Sequence, residues 1–135
     1  MNYYLDTDIC IFALKNTFPS IKTKLQSILP ERIKIPSIVR AELLLGTLKS
    51  NRPKEVHSIV EQFLEPFEII PFCSKCSEIY ASIRWDLESK GMSIGPNDLL
   101  IASTVLANQG TLVTHNTKEY NRISGLKIQD WTEST

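Results

Sequence analysis

Apolar residues along this chain fall into short runs separated by polar turns, and the runs have two periods. Tyr3-Tyr4-Leu5, Ile33-Lys34-Ile35, Phe67-Glu68-Ile69-Ile70, Thr111-Leu112-Val113-Thr114 and Leu126-Lys127-Ile128 are brief, contain β-branched and aromatic side chains, and predict strands. Between them the period lengthens. Ile9 to Lys15 predicts a helix closed by Asn16-Thr17-Phe18-Pro19. Ser20 to Leu29 predicts another, with Ile21, Leu25 and Ile28 on one face and Pro30 as its stop. Ser37 caps a helix running to about Lys49, and Arg52 to Leu64 carries Val56, Ile59, Val60 and Phe63 on one side. Ser74 to Lys90 has an apolar stripe of Cys76, Ile79, Tyr80, Ile83 and Leu87 that stops at Gly91. Asp98 to Asn108 is apolar nearly all round, as a helix buried on most sides would be.

Strands alternating with helices imply right-handed crossovers. The expected fold class is α/β, with a central, mainly parallel sheet of four to five short strands flanked by helices on both faces. Its length of 135 residues suits a single domain over 1–135. Neither repeats nor low-complexity tracts interrupt it. In such folds ligands bind outside the carboxyl ends of the strands, near the switch in strand order.

Composition narrows the partners. Fifteen basic and fifteen acidic residues cancel to zero net charge, so no global basic field draws the chain to nucleic acid, and any such binding has to be local or metal-assisted. Cys10, Cys73 and Cys76 are too few and too odd in number for a disulfide scaffold, and fit a reducing compartment. The first residues lack a basic, apolar leader, and the most apolar stretch, Leu99 to Ala107, is far short of the roughly 20 residues a bilayer span needs. A cytoplasmic protein without a membrane partner is expected.

Three acids stand where the strand-end rule points. Asp6 ends the first strand, Asp98 opens the buried helix before the fourth, and Glu42 lies in the early turns of the helix after the second. On a wheel anchored at Ile38, Glu42 falls beside Ala41 and Leu45 on the expected inward stripe. Each acid also has a plain reading: an Asx-type turn for Asp6, a first-turn acid for Asp98, and a snorkelling surface carboxylate for Glu42. Convergence changes the balance. Two carboxylates about 4 Å apart repel by roughly 4 kcal/mol at an effective dielectric near 20. A helix end returns only a fraction of a kcal/mol. Converging acids therefore imply a shifted proton or a cation, and all-oxygen donors favour Mg²⁺ or Mn²⁺ over zinc.

These residues sit in runs that resemble a known family. Tyr4-Leu5-Asp6-Thr7-Asp8-Ile9, Pro36-Ser37-Ile38-Val39-Arg40-Ala41-Glu42-Leu43-Leu44-Leu45-Gly46, Ile94-Gly95-Pro96-Asn97-Asp98-Leu99-Leu100-Ile101-Ala102, Val113-Thr114-His115-Asn116-Thr117-Lys118-Glu119-Tyr120 and Gly125-Leu126-Lys127-Ile128-Gln129-Asp130-Trp131 cover nearly the whole chain. Together they resemble the PIN-domain ribonucleases, specifically the VapC toxins of bacterial type II toxin–antitoxin pairs.

The resemblance implies an α/β/α sandwich, and it implies Asp6, Glu42 and Asp98 as a catalytic centre holding one or two Mg²⁺ or Mn²⁺ ions. A fourth acidic position of many PIN domains falls at Asn116, a neutral ligand at best, with Thr114 as a supporting polar group and Glu119 as a possible compensation. Asp8 stands where these toxins commonly carry Asn, and either adds charge to the site or caps the following helix. The implied reaction is hydrolysis of RNA, such as a transfer RNA, giving 5′-phosphate and 3′-hydroxyl ends. The implied partners are a cognate VapB antitoxin, in a hetero-oligomer, and a second copy in a homodimer.

Arg40, Lys90, Lys118 and Arg122 are candidates for a rim that grips phosphates, though each is also an ordinary surface charge. His115 suits a structural or RNA-facing role. Cys73-x-x-Cys76 lacks two further zinc ligands and the rest of a thioredoxin-like pattern, and reads as helix-start packing. Leu43, with Leu44 beside it, falls on the outward side of its helix and suggests a partner contact. Two rivals remain open: a catalytically quiet scaffold binding RNA or protein, and a haloacid-dehalogenase-like phosphatase with Asp6 as nucleophile. The phosphatase motif would need Thr or Val where Cys10 stands, and would leave Glu42 without a role.

Overall fold

In the computed structural model, which describes residues 1–133, five short strands and seven helices alternate along the chain. The strands are β1 (Tyr3–Leu5), β2 (Ile33–Pro36), β3 (Glu68–Ile70), β4 (Thr111–Val113) and β5 (Lys127–Gln129). They form one sheet in the order β3-β2-β1-β4-β5, every pairing parallel. The chain builds outward from β1 to β3 on one side, then returns to place β4 against β1 on the other. The order therefore reverses beside β1, and the carboxyl ends of β1 and β4 flank the crevice.

The helices are α1 (Thr7–Lys15), α2 (Pro19–Ser27), α3 (Ser37–Lys49), α4 (Pro53–Leu64), α5 (Ser74–Ser89), α6 (Pro96–Ala107) and α7 (Thr117–Tyr120). They pack on both faces of the sheet as an α/β/α sandwich, with α5 against α6 and α3 against α4 as the closest helix pairs. Among the described residues no helix is long and apolar enough to cross a membrane.

The core explains the element types. Leu5, Ile33, Ile35, Leu112 and Val113 are fully buried strand residues, as the middle strands of a parallel sheet covered on both faces require. Ile9, Ile21, Val39, Leu99, Ile101 and Val105 reach them from the helices. Each such side chain contributes roughly 1.5–3 kcal/mol by leaving water. Trp131, beyond β5, tilts against Tyr3 with ring centroids 5.5 Å apart, and its carbonyl accepts the Ser20 hydroxyl at 2.6 Å. Gly110 is required by close approach: a Cβ there would stand 2.3 Å from Cε1 of the buried Tyr4 ring.

Ser37 is the first residue of α3 rather than its cap; Pro36 holds the cap position and no side chain bonds there. Four further expectations need correction. α1 begins at Thr7 rather than Ile9, because the Asp6 side chain caps it. α6 begins at Pro96, a favoured first helical residue, rather than at Asp98. α7 was not expected, since four residues carry no readable period. The fourth concerns the face of α3. Its buried stripe is Val39, Leu43 and Thr47, whereas Ala41, Leu45 and Leu48 face solvent. Ile38 is only half-buried, so a wheel anchored there is rotated from the true inward direction, and Leu43 (5% exposed) points inward, where it lines a groove between α1, α3 and α4.

Candidate metal centre at the carboxyl edge

A pocket of about 100 Å³, the volume of roughly three waters, opens at the switch point beside β1. Asp6, Asp8, Glu42, Asp98 and Asn116 line it together with Thr7, Ile101 and Tyr120. No lysine, arginine or histidine is among its lining residues. The three acids singled out by the sequence thus arrive from three separate elements, the end of β1, the second turn of α3 and the first turn of α6.

Asp6 is placed by both neighbours of its strand end. Its N–H continues the sheet ladder to the Val113 carbonyl at 3.1 Å, and its Oδ1 accepts the Ile9 N–H at 2.9 Å. Burial pushes its carboxyl up to about 7. Hydrogen bonds from the Thr114 hydroxyl and the Ile9 amide oppose that rise, while the charges of Asp8 and Asp98 add to it. Asp98 is half-buried and also raised, first by burial, with the Tyr120 hydroxyl lowering it and Glu119, Glu42 and Asp8 raising it. These mutual effects mean that the carboxylates feel one another across the pocket.

Glu42 is held by groups the sequence reading did not single out. Thr7 donates its hydroxyl to Oε1 at 2.6 Å, and the Asn97 amide lies 3.4 Å from Oε2. Thr7 directly follows Asp6, and Asn97 directly precedes Asp98, so each acid brings a neighbour that steadies Glu42. Tyr120 is the other omission. Its hydroxyl is buried beside Asp98 without a well-aligned hydrogen-bond partner, and burial followed by the Asp98 and Asp6 charges drives its acidity far down. The only sequence signal for it was an aromatic residue closing the Thr114–Tyr120 run.

Asn116 lines the pocket, and its Nδ2 donates to Glu119 Oε2 at 3.0 Å, which leaves its carbonyl oxygen as the atom suited to a cation. Thr114 accepts the Asn116 N–H at 3.0 Å and so supports both Asn116 and Asp6. Glu119 acts on Asp98 through its charge but is not a lining residue. Asp8 is exposed and adds negative charge to the pocket; the capping role belongs to Asp6 instead, since only the Asp6 carboxylate reaches the Ile9 amide.

The basic candidates lie around the molecule rather than in the pocket. Arg40 pairs with Glu61 at 2.9 Å in a separate cavity that also contains His57. Lys90 pairs with Asp86 at 3.1 Å, and Arg122 donates to the Ser93 carbonyl at 3.1 Å. Lys118 is exposed on α7. His115 is structural in its contacts: Nδ1 lies 2.9 Å from Asp130 Oδ2, and its ring packs against Phe12 and Phe18. Burial works against the Asp130 charge, but bonds from Thr132 and His115 hold its carboxyl below the usual range.

The donor set suits a hard divalent cation. Every polar lining atom is a carboxylate, amide or hydroxyl group, and burial, with the Asp8 and Asp98 charges adding to it, pushes the most buried carboxyl, Asp6, toward neutrality. Among the described residues, no three acid, histidine or cysteine side chains yet stand at ligating geometry. Glu42 is drawn to Thr7, and the Asn116 amide to Glu119. The phosphatase reading loses ground here, because Cys10 is core and Glu42 shares the pocket.

A second concave region adjoins the first. A groove of about 460 Å³ runs between α1, α3 and α4, lined by Ile11, Leu14, Gly46, Val56, Ile59 and Val60, with Glu42 at the boundary with the acidic pocket.

The chain is similar to known proteins along almost its full length. The PIN domain family matches residues 3–126. Ribonuclease VapC2 of Rickettsia felis is 43% identical over 132 residues, covering 97% of this chain and 98% of that protein. The tRNA(fMet)-specific endonuclease VapC of Salmonella typhimurium is 33% identical over 131 residues, covering 97% of this chain and 98% of its own. Among solved structures, VapBC2 from Rickettsia felis, bound to a DNA fragment from its promoter, superposes with a TM-score of 0.92 at 42% identity, over 97% of this chain and 99% of that one. The DNA-bound VapBC of Salmonella typhimurium gives 0.92 at 33% identity, over 97% and 98%.

Proposed function

The chain belongs to the PIN-domain family, and from that premise we propose that it is the toxin of a type II toxin–antitoxin pair, a metal-dependent ribonuclease restrained by a VapB-type antitoxin. One observation carries the chemistry. Asp6, Glu42 and Asp98 come from three distant parts of the chain to line a single small pocket that has no basic residue to neutralise them. Asp6, Glu42 and Asp98 would hold one or two Mg²⁺ or Mn²⁺ ions, with the Asn116 carbonyl as an added neutral donor. A divalent ion there would make a bound water easier to deprotonate near neutral pH and would set positive charge against the phosphate oxygens.

The chain's own groups prepare that site. The Ile9 amide and the Thr114 hydroxyl fix the Asp6 carboxylate at the strand end. Thr7 and Asn97 steady Glu42 from either side, and the Tyr120 hydroxyl sits against Asp98. Neither histidine lines the pocket, so no imidazole pair is at hand to activate a ribose 2′-hydroxyl. Hydrolysis by water then leaves 5′-phosphate and 3′-hydroxyl ends. A structured RNA such as a transfer RNA is the proposed substrate, supported by the name of the Salmonella relative.

The apolar groove is the proposed seat of the antitoxin, because it is preformed, apolar and bounded by Glu42, so an occupant lies beside the acids. A homodimer of the toxin completes the proposed assembly. The test is cleavage of purified transfer RNA with Mg²⁺ or Mn²⁺, followed by end mapping. Cleavage that chelation abolishes, with the ends named above, is expected. Chelator-resistant cleavage would refute the metal role, and an inert protein with metal present would favour a scaffold that only binds.

A further inference from the structure

Two thiols at the start of α5 stand apart from the acidic pocket and the apolar groove. Cys73 is the residue before the first turn of this 16-residue helix and is exposed, whereas Cys76 is fully buried. A separation of three residues at a helix start turns both side chains to one face, and their Sγ atoms lie 3.2 Å apart. That separation exceeds a disulfide bond of about 2.05 Å by little more than about 1 Å.

The two thiols are chemically unequal. The Cys76 amide and thiol hold the Cys73 thiol below its usual range, and the position at a helix N-terminus favours its thiolate further. Burial pushes the Cys76 thiol up. An accessible nucleophile beside a sheltered second thiol is the asymmetry that two-step thiol–disulfide exchange uses. Cys10, sealed in the core, offers no competing thiol.

We propose that Cys73 and Cys76 form a reversibly oxidisable dithiol that exchanges with low-molecular-weight disulfides, Cys73 being the entering nucleophile. In the first step the Cys73 thiolate attacks one sulfur of the small disulfide. A mixed disulfide forms, and the first small thiolate leaves and takes a proton from water. In the second step Cys76 gives up its proton and attacks Cys73 Sγ, displacing the second small thiolate, which is protonated in turn. The small disulfide gains two electrons and two protons to become two thiols, and the protein pair loses the same to become a disulfide. Cys76 lies against Thr104 of α6, six residues beyond Asp98 and so about 9 Å along the helix, and neither cysteine lines the acidic pocket.

The experiment incubates the reduced full-length protein with oxidised glutathione near neutral pH, traps remaining thiols with an alkylating agent under denaturing conditions, and maps them by mass spectrometry. Alkylatable cysteines should fall from three to one, Cys10, with loss of two hydrogens across the Cys73–Cys76 peptide, and dithiothreitol should restore all three. Cys76→Ser should stop at one glutathionyl group on Cys73. Cys73→Ser, which alters only an exposed side chain, should leave Cys76 free of glutathione. Three alkylatable cysteines in the oxidised wild type, a lasting glutathionyl adduct on wild-type Cys73, or reaction of Cys76 in Cys73→Ser would each overturn the proposal.

Discussion

The acidic pocket and the apolar groove are neighbours that share Glu42, yet they are built on opposite principles. The pocket gathers carboxylates into about 100 Å³ and leaves the most buried of them pushed toward neutrality. The groove spreads apolar side chains over about 460 Å³, and it contains few charges. The first arrangement costs the isolated fold stability, because the charged form of the buried Asp6 carboxyl is disfavoured. The second costs little in isolation but leaves Ile59 (54% exposed) and, close by on α3, Leu45 and Leu48 uncovered, which favours association. Under the proposed function, one region would take a small hard ligand and the other a protein partner, and the shared glutamate joins the two.

The sharpest way to break this contrast is to neutralise the pocket. Asp6→Asn or Asp98→Asn should lower the rate of RNA cleavage by about 1000-fold or more, measured with excess metal, while antitoxin binding in the groove stays within a few-fold of wild type. Cleavage within about tenfold of wild type in either variant would mean that the pocket is not the reaction centre.

The stability cost of the pocket has its own signature. A folded-state Asp6 raised from 3.8 to about 7 means that the folded protein binds more protons than the unfolded chain between those values. Metal-free stability should therefore be highest below about pH 4 as far as this group is concerned, decline as pH rises through about 7, and lose up to about 4 kcal/mol in total. Chemical unfolding at pH 5 and pH 8 should reveal the decline, Asp6→Asn should flatten it, and Mn²⁺ should offset it at the higher pH. A metal-free protein more stable at pH 8 than at pH 5, with Asp6→Asn unchanged in that trend, would contradict the reading.

Much of this pocket was legible in the sequence, for reasons that differ from residue to residue. Asp6 and Asp98 followed from the rule that parallel sheets bind ligands at strand ends, which needs only strand positions. Glu42 was found, but the wheel that singled it out was anchored on the half-buried Ile38 and also turned Leu43 outward. An apolar residue on every side of α3 leaves the true face to be decided by tertiary packing against α1, α4 and α6. Thr7 and Asn97 were invisible because their role depends on Glu42 arriving from another element. Tyr120 closes a helix of four residues, too short to carry a period, and its burial is set by the pocket it helps to enclose.

The groove offers the complementary test. Ile59→Asp places a charge on its apolar wall, outside the acidic pocket, and should weaken binding of the cognate antitoxin by about 10–100-fold in a titration while cleavage of RNA by the free toxin is unchanged. Unaltered antitoxin affinity would move the partner's seat elsewhere. The smallest effect concerns support within the pocket. Thr7→Val removes the hydroxyl that holds Glu42 and should reduce cleavage or metal affinity by about 10-fold, with folding preserved.

Anomalous diffraction from crystals soaked in Mn²⁺ locates the ion without reference to activity. The expected map has one or two peaks between Asp6 and Asp98, with carboxylate oxygens of both and of Glu42 at about 2.0–2.6 Å. A pocket without manganese density, at concentrations that sustain RNA cleavage, would contradict the assignment of these three acids as its holders.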